Sequence, residues 1–122
     1  MGGVSTQARR IVMIYLNGLS DNQIRAISLR GEGGGSFDPN VEWLTIHLRC
    51  GVRKFVCVND GENSKNCHID EDGKLVLDIP SRTFKRGVLE YMVEIREDSQ
   101  YFKDGYKNTF SKEYKPTGIE IV

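Results

Sequence analysis

The chain has 122 residues, with 17 basic and 17 acidic side chains and a formal net charge of zero. Proteins that bind nucleic acid neutralise phosphates with a basic excess, so this balance argues against a nucleic-acid partner. No apolar run approaches the roughly 20 residues needed to cross a bilayer, so no membrane span is expected. The length favours one domain over residues 1–122, with residues 1–9 as a flexible leader.

Cysteine usage indicates synthesis in a reducing cytoplasm. Cys50, Cys57 and Cys67 are odd in number and do not form a disulfide scaffold. Cys50 and Cys57 flank a predicted hairpin turn, which leaves a cross-strand approach open, although small buried thiols explain them as well. The polar residues 1–10 lack the apolar stretch of a secretory signal.

The first third of the chain carries two predicted strands and a loop. Residues 11–16 are a continuous apolar run, which predicts a strand buried on both faces. Residues 24–29 predict a strand with Ile24, Ala26 and Ser28 on one side, or a short helix over residues 21–29. Residues 31–40 include three consecutive glycines and predict a glycine-rich loop.

From residue 41 onward, apolar and polar residues alternate between turn signals. In residues 41–50, Leu44, Ile46 and Leu48 share one face of a predicted strand, and the odd-numbered residues share the other. Seven or eight such short strands predict an all-β fold, an antiparallel β-sandwich. The later predicted strands cover residues 54–59, 66–70, 74–79, 88–96 and 106–114, followed by a turn at 116–118 and an apolar tail at 119–122.

Histidines, cysteines and clustered carboxylates are the candidates for a metal site. His47 shares the polar face of its strand, so we expect it in solvent. His68 directly follows Cys67 in an extended segment, where adjacent side chains point to opposite faces and cannot easily share an ion. The cysteines lack the close spacing of a zinc site, and residues 70–73 fit an acidic turn better than a calcium loop. No metal and no cofactor are expected.

Candidates for catalysis or ligand contact are few. Asp98 and Asp104 bracket a loop, where two carboxylates could serve glycoside hydrolysis or simply be solvated. No serine lies in a nucleophile elbow, so no catalytic residue is expected. Trp43, Tyr101 and Phe102 are candidate aromatic contacts for a protein or a sugar, although Trp43 could equally belong to the core.

Several motifs follow one another in the second part of the chain: Asn59-Asp60-Gly61, Asn66-Cys67, Asp72-Gly73, residues 86–91, Asp98, residues 102–105 and residues 117–122. Their order and spacing resemble small structural proteins of phages and of prophages in gut bacteria, similar in style to the N-terminal domain of upper baseplate proteins. The resemblance covers residues 41–122, whereas residues 31–40 and those before them do not fit it.

The resemblance implies an immunoglobulin-like β-sandwich that builds a phage tail, fibre or baseplate without catalytic residues. Its partners would be other virion or tail proteins, or further copies of itself. The protein would be made in the bacterial cytoplasm and then reside in the tail particle. The candidate assembly contact is the apolar tail, Ile119, Ile121 and Val122, provided it is not tucked into the sheet. The alternative is a carbohydrate-binding sandwich that uses the exposed aromatic residues.

Overall fold

The computed structural model describes residues 14–26, 43–60 and 63–122, which form two β-sheets. The larger sheet has the strand order β1-β9-β7-β3-β4, with β8 also paired to β7, and the smaller sheet has the order β2-β6-β5. The described strands are β1 (Ile14–Leu16), β2 (Asn22–Arg25), β3 (Trp43–Cys50), β4 (Arg53–Asn59), β5 (Cys67–Ile69), β6 (Leu75–Ile79), β7 (Gly87–Asp98), β8 (Tyr106–Phe110) and β9 (Lys115–Ile121). The predicted leader (1–9) and glycine-rich loop (31–40) lie outside these residues.

The all-β, two-sheet prediction is confirmed for the described residues, but the sheets are not purely antiparallel. β1 runs parallel to β9, with Ile14 opposite Ile119. The 12-residue strand β7 organises the larger sheet: it pairs with β3 along one edge and with β9 and then β8 along the other. The described residues contain no helix that is long and apolar enough to cross a membrane.

The hydrophobic core lies between the two sheets. Alternation places Leu44, Ile46 and Leu48 of β3 on the inner face, as predicted, and all three are buried. The smaller sheet contributes its own inward residues, among them Leu77, which is fully buried at the centre of β6. Ile24 and Ala26 also share the buried side, whereas Ser28 lies outside the described residues. A strand at Asn22–Arg25 replaces the alternative helix.

The first predicted strand is less buried than its apolar run suggests. Within residues 14–16, Ile14 and Tyr15 are exposed, so burial on both faces is wrong there. The reason is position: among the described strands β1 pairs only with β9 and therefore lies at an edge of the sheet. A run of apolar side chains does not distinguish an edge strand from an internal one.

The predicted turn at residues 116–118 is part of β9. The register between β7 and β9 shifts where Leu89 faces Ile119 while Glu90 faces Pro116, so Thr117 and Gly118 form a bulge. Gly118 has a φ of 83°, which favours glycine. The turn-forming residues therefore bend a strand and do not end it.

Two buried threonines of the larger sheet differ in hydrogen bonding. The Thr117 hydroxyl donates to the Leu89 carbonyl at 2.8 Å and accepts from the Ile119 amide at 2.9 Å. The Thr45 hydroxyl is equally buried but has no partner among the described residues. A satisfied buried hydroxyl stabilises the fold, whereas an unsatisfied one costs about 1–3 kcal/mol.

Replacing these threonines by valine should therefore change stability in opposite directions. We expect Thr117→Val to lower the free energy of unfolding by about 1–3 kcal/mol and Thr45→Val to raise it by about 1 kcal/mol. Urea unfolding of both variants measures the two values under one set of conditions. Loss of stability in Thr45→Val would show that its hydroxyl has a partner.

Candidate functional site

The candidate site is the outer face of the larger sheet, defined as the outward-pointing side chains of β3, β7 and β8. Cross-strand pairing brings Trp43 opposite Arg96, His47 opposite Met92, and Arg49 opposite Glu90. Because side chains directly opposite each other in an antiparallel pair are close, this face becomes an ordered array of aromatic and charged groups.

Arg96 lies between two aromatic rings at one end of the outer face. Its guanidinium carbon is 5.1 Å from the centre of the Trp43 ring and 5.2 Å from that of Tyr106. Its Nε donates to Asn108 Oδ1 at 3.2 Å. Guanidinium groups at such distances are attracted to the negative faces of the rings, so Arg96 and both aromatic side chains hold one another in place.

Arginine and histidine are paired with glutamates further along the outer face. Arg49 donates from Nε and Nη2 to Glu90 Oε1 at 3.0 and 2.9 Å. Its guanidinium carbon is also 3.8 Å from the centre of the Tyr114 ring. His47 Nε2 lies 2.7 Å from Glu94 Oε2. The prediction of a solvent-exposed His47 is wrong, because only 25% of its side chain is exposed beside Glu94.

The side chains of the outer face hold one another in place. Each of its two glutamates already binds a basic side chain of the face. Arginine guanidinium groups lie near the rings of Trp43, Tyr106 and Tyr114, and the Phe110 ring lies 6.3 Å from that of His47. Side chains held in this way lose less conformational entropy when a partner binds. Trp, Tyr, Phe, Met and Arg are the residue types enriched in protein interfaces. On this face they are Trp43, Tyr106, Phe110, Met92, Arg49 and Arg96.

The three predicted aromatic contacts lie in two different parts of the structure. Trp43 is half-buried on the outer face beside Arg96, so it is neither a core residue nor a free platform. Tyr101 and Phe102 lie in the β7–β8 hairpin loop and are 85% and 52% exposed. Asp104 lies in the same loop and Asp98 is the last residue of β7 before it, and both are exposed. The loop is closed by hydrogen bonds of Gly105 with Ser99 and Phe102.

The apolar tail was a candidate assembly contact only if it stays outside the sheet, and this condition is not met. Ile119 and Ile121 are 1% and 3% exposed and belong to the protein's own core. They lie on β9, which is paired with β1 on one side and β7 on the other. Of the three residues, only Val122 is exposed.

His68 and Cys67 point to opposite sides of β5, as predicted. Cys67 is buried, whereas His68 Nδ1 lies 2.6 Å from Asp78 Oδ2 on the outer side of the smaller sheet. Gln23 Nε2 donates to the other oxygen of Asp78 at 2.9 Å. A histidine–carboxylate pair is also the orienting part of a catalytic triad. Among the described residues, however, no hydroxyl or thiol is hydrogen-bonded to His68.

The three cysteines are free, buried thiols. Cys50 pairs with Arg53 and Cys57 with Ile46, so the two are not cross-strand partners. Burial, and then the neighbouring Cys67, raise the pKa of the Cys57 thiol to about 12. The reactive form of cysteine is the thiolate, so Cys57 is unreactive at neutral pH.

Residues 70–73 form an acidic turn between β5 and β6, as predicted. Asp70 Oδ1 accepts hydrogen bonds from the backbone amides of Asp72 and Lys74, both at 2.9 Å. Its other oxygen lies 3.4 Å from Arg25 Nη2. The hydrogen bond from the Lys74 amide has the largest effect on the pKa of Asp70 and, together with the Asp72 amide and the Arg25 charge, holds that pKa below its usual value against the opposing effect of desolvation.

Because the pKa of Asp70 is lowered on folding, its ionised form stabilises the protein above its ordinary pKa of about 3.9. This contribution is lost as the pH falls through the lower pKa of the folded state. We expect Asp70→Asn to be less stable than the parent at pH 7 and the difference to shrink below about pH 4. Urea unfolding at both pH values tests this, with Glu71→Gln in the same turn as the control. A difference independent of pH would contradict the prediction.

One cluster of basic side chains was not predicted from the sequence. Arg82, Lys85 and Arg86 lie in the β6–β7 connector and Arg53 at the start of β4, and all four line one open groove of about 620 Å³ at an end of the two sheets. The groove forms where the β1–β2 turn, the start of β4 and the β6–β7 connector meet. The adjacent pair Lys85-Arg86 was the available sequence signal, with Arg82 close to it in the chain, but Arg53 comes from a distant strand.

Comparisons with known proteins add no relative. No protein-family model, no curated protein and no solved structure matches this chain. Among the described residues, no group of three histidine, cysteine, aspartate or glutamate side chains is placed to hold a metal ion. Function must therefore be inferred from the geometry of the outer face and of the groove.

Proposed function

We propose that the protein is a non-enzymatic structural component of a phage or prophage tail, baseplate or fibre that acts by protein–protein assembly. The observation that carries the proposal is a strand edge beside the outer face that has no partner strand among the described residues. Among the described strands β8 pairs only with β7, and its residues 107–110 are all exposed. Unpaired backbone groups of an edge strand can add a strand from a neighbouring molecule.

The outer face supports the same role. Arg96, Trp43, Tyr106 and Asn108 form a preorganised cluster directly beside the β8 edge. A partner strand on β8 would extend the sheet and bring its own side chains next to this cluster. Repeated contacts of this kind between different surfaces build rings and fibres. The order of motifs in residues 41–122 supports the phage assignment, and the two facing sheets support an immunoglobulin-like arrangement as part of the proposal.

The proposal is tested in particles from the source bacterium. A photo-crosslinking amino acid at the exposed Thr109 of β8 should form covalent adducts with tail or baseplate proteins, identified by mass spectrometry. The matched control is Val52, which is 95% exposed in the distant β3–β4 turn and should give none. Absence of the protein from purified tail particles would overturn the phage assignment, and equal crosslinking at both positions would overturn the role of β8.

Carbohydrate binding is the second candidate, because Tyr101 and Phe102 present two exposed aromatic rings in one loop. Exposed rings stack on the apolar faces of sugars, whereas the ring of Trp43 is already beside Arg96. Glycan-array binding that is lost in Tyr101→Ala would support this function. Binding that persists in Tyr101→Ala and is lost only in Trp43→Ala would assign the sugar to the outer face.

A further inference from the structure

The groove at the end of the sheets is not used by the assembly proposal and has a distinct chemistry. Its polar lining is basic: Arg53 begins β4, and Arg82, Lys85 and Arg86 lie in the β6–β7 connector. Its apolar lining comes from Leu19, Phe84 and Val122. No acidic side chain is among the described residues that line it. The volume of about 620 Å³ lies within the range of small-molecule sites, about 300–1,000 Å³.

The positive charge of the groove is uncompensated within the described residues. None of the four basic side chains forms an ion pair with a described carboxylate, although the whole chain has equal numbers of acidic and basic residues. The Asp21 Oδ1 accepts from the Ser81 amide of the same connector at 2.7 Å, and its carboxylate forms no ion pair with the four basic side chains. Four like charges around one groove repel one another, and an anion in the groove relieves that repulsion.

The connector that carries these charges is held by specific contacts. Arg82 has a φ of 64°, a left-handed conformation that is uncommon for residues other than glycine. Its amide donates to the Gly18 carbonyl at 2.8 Å, and its own carbonyl accepts from Arg53 Nη1 at 3.5 Å. Backbone strain of this kind persists where surrounding contacts maintain it, and it is concentrated at ligand sites.

We propose that the groove binds a small organic phosphate, with the phosphate on the arginines and an apolar ring against Leu19, Phe84 and Val122. Guanidinium groups match phosphate oxygens in two-pronged hydrogen bonds, which makes arginine the preferred residue for this anion. A phosphate monoester carries up to two negative charges and compensates four cations better than a single carboxylate. The apolar lining requires a ligand with more than a phosphate group alone.

Isothermal titration calorimetry with phenyl phosphate tests the proposal on the whole purified protein. Phenyl phosphate should bind more tightly than inorganic phosphate, which lacks the ring, and than benzoate, which lacks the phosphate. Arg53→Gln combined with Arg86→Gln should weaken phenyl phosphate binding by roughly tenfold or more. The charge-matched control is Lys54→Gln with Lys107→Gln, because neither lysine lines the groove. The control should leave affinity within about twofold of the parent.

Several outcomes would overturn the proposal. Absence of binding at millimolar phenyl phosphate would remove the site, and equal weakening by both double variants would show non-specific charge attraction. Equal affinities for phenyl phosphate and inorganic phosphate would exclude the ring contact, and equal affinity for benzoate would exclude selection of phosphate. If the arginine double variant fails to fold by circular dichroism, Lys85→Gln alone provides the test, because its exposed side chain lies in the same groove. These measurements do not depend on whether the protein assembles into tails.

Discussion

Replacing Leu77 by alanine is expected to lower the free energy of unfolding by about 2–5 kcal/mol, the largest effect of any prediction made for this chain. Leu77 is 0% exposed on β6, the middle strand of the smaller sheet. It lies opposite Ile24 of β2 and Cys67 of β5. Truncation removes its contacts with the core and leaves a cavity that the two flanking strands cannot fill without losing their pairing.

Urea unfolding followed by the fluorescence of Trp43, the single tryptophan, measures the Leu77→Ala effect. Leu19→Ala is the matched control: the same atoms are removed from a side chain that is 66% exposed. The control should change the free energy of unfolding by no more than about 0.5 kcal/mol. A loss below about 1 kcal/mol in Leu77→Ala would show that the smaller sheet does not close the core as described.

Gly18→Ala is expected to destabilise the protein by about 1–3 kcal/mol through overpacking. A β-carbon at this position would lie 2.7 Å from Ile121 Cγ2 and 3.0 Å from the Phe84 carbonyl oxygen. Neither neighbour moves easily, because Cγ2 belongs to a β-branched side chain in the core and the oxygen belongs to the backbone. Gly18 also donates its amide to the Val122 carbonyl and accepts from the Arg82 amide, so the added methyl group disturbs the floor of the groove.

Urea unfolding gives the size of the Gly18→Ala effect, and hydrogen exchange of the Arg82 amide gives its location. The Arg82 amide should exchange faster in Gly18→Ala, because its hydrogen bond to Gly18 is strained. Ser20→Ala in the same turn is the control and should leave both measurements near those of the parent. Unchanged exchange at Arg82 together with reduced stability would place the disturbance at Ile121 and away from the connector.

Local alternation was sufficient to predict most strands after residue 41. The inward set of β3, Leu44, Ile46 and Leu48, follows from the two-residue period of an extended chain. The same reasoning separates Cys67 from His68 across β5. These predictions depend only on residues that are close in the chain, which explains why the structure confirms them. The immunoglobulin-like arrangement and the phage assignment came from resemblance alone and remain proposals.

The errors occurred where distant segments meet. Thr117 and Gly118 have the composition of a turn, but pairing of β9 with β7 converts them into a bulge. The same pairing buries Ile119 and Ile121, which the sequence offered to a partner molecule. His47 was expected in solvent, but Glu94 of β7 and the Phe110 ring of β8 lie beside it and its side chain is only partly exposed. In each case a contact between residues far apart in the chain outweighed the local preference.

The amino-acid sequence by itself determined that this protein consists of short strands with one apolar side each, because side-chain direction along an extended chain alternates regardless of partners. Tertiary structure alone decided which strand ends meet. It placed Arg96 between Trp43 and Tyr106, left β8 at an edge, and brought Arg53 to the Arg82–Arg86 connector. Charge repulsion and desolvation depend on which side chains are close in space, and in these sites the side chains come from residues that are remote in the chain. The sites proposed for function therefore arise only when the strands have paired into sheets.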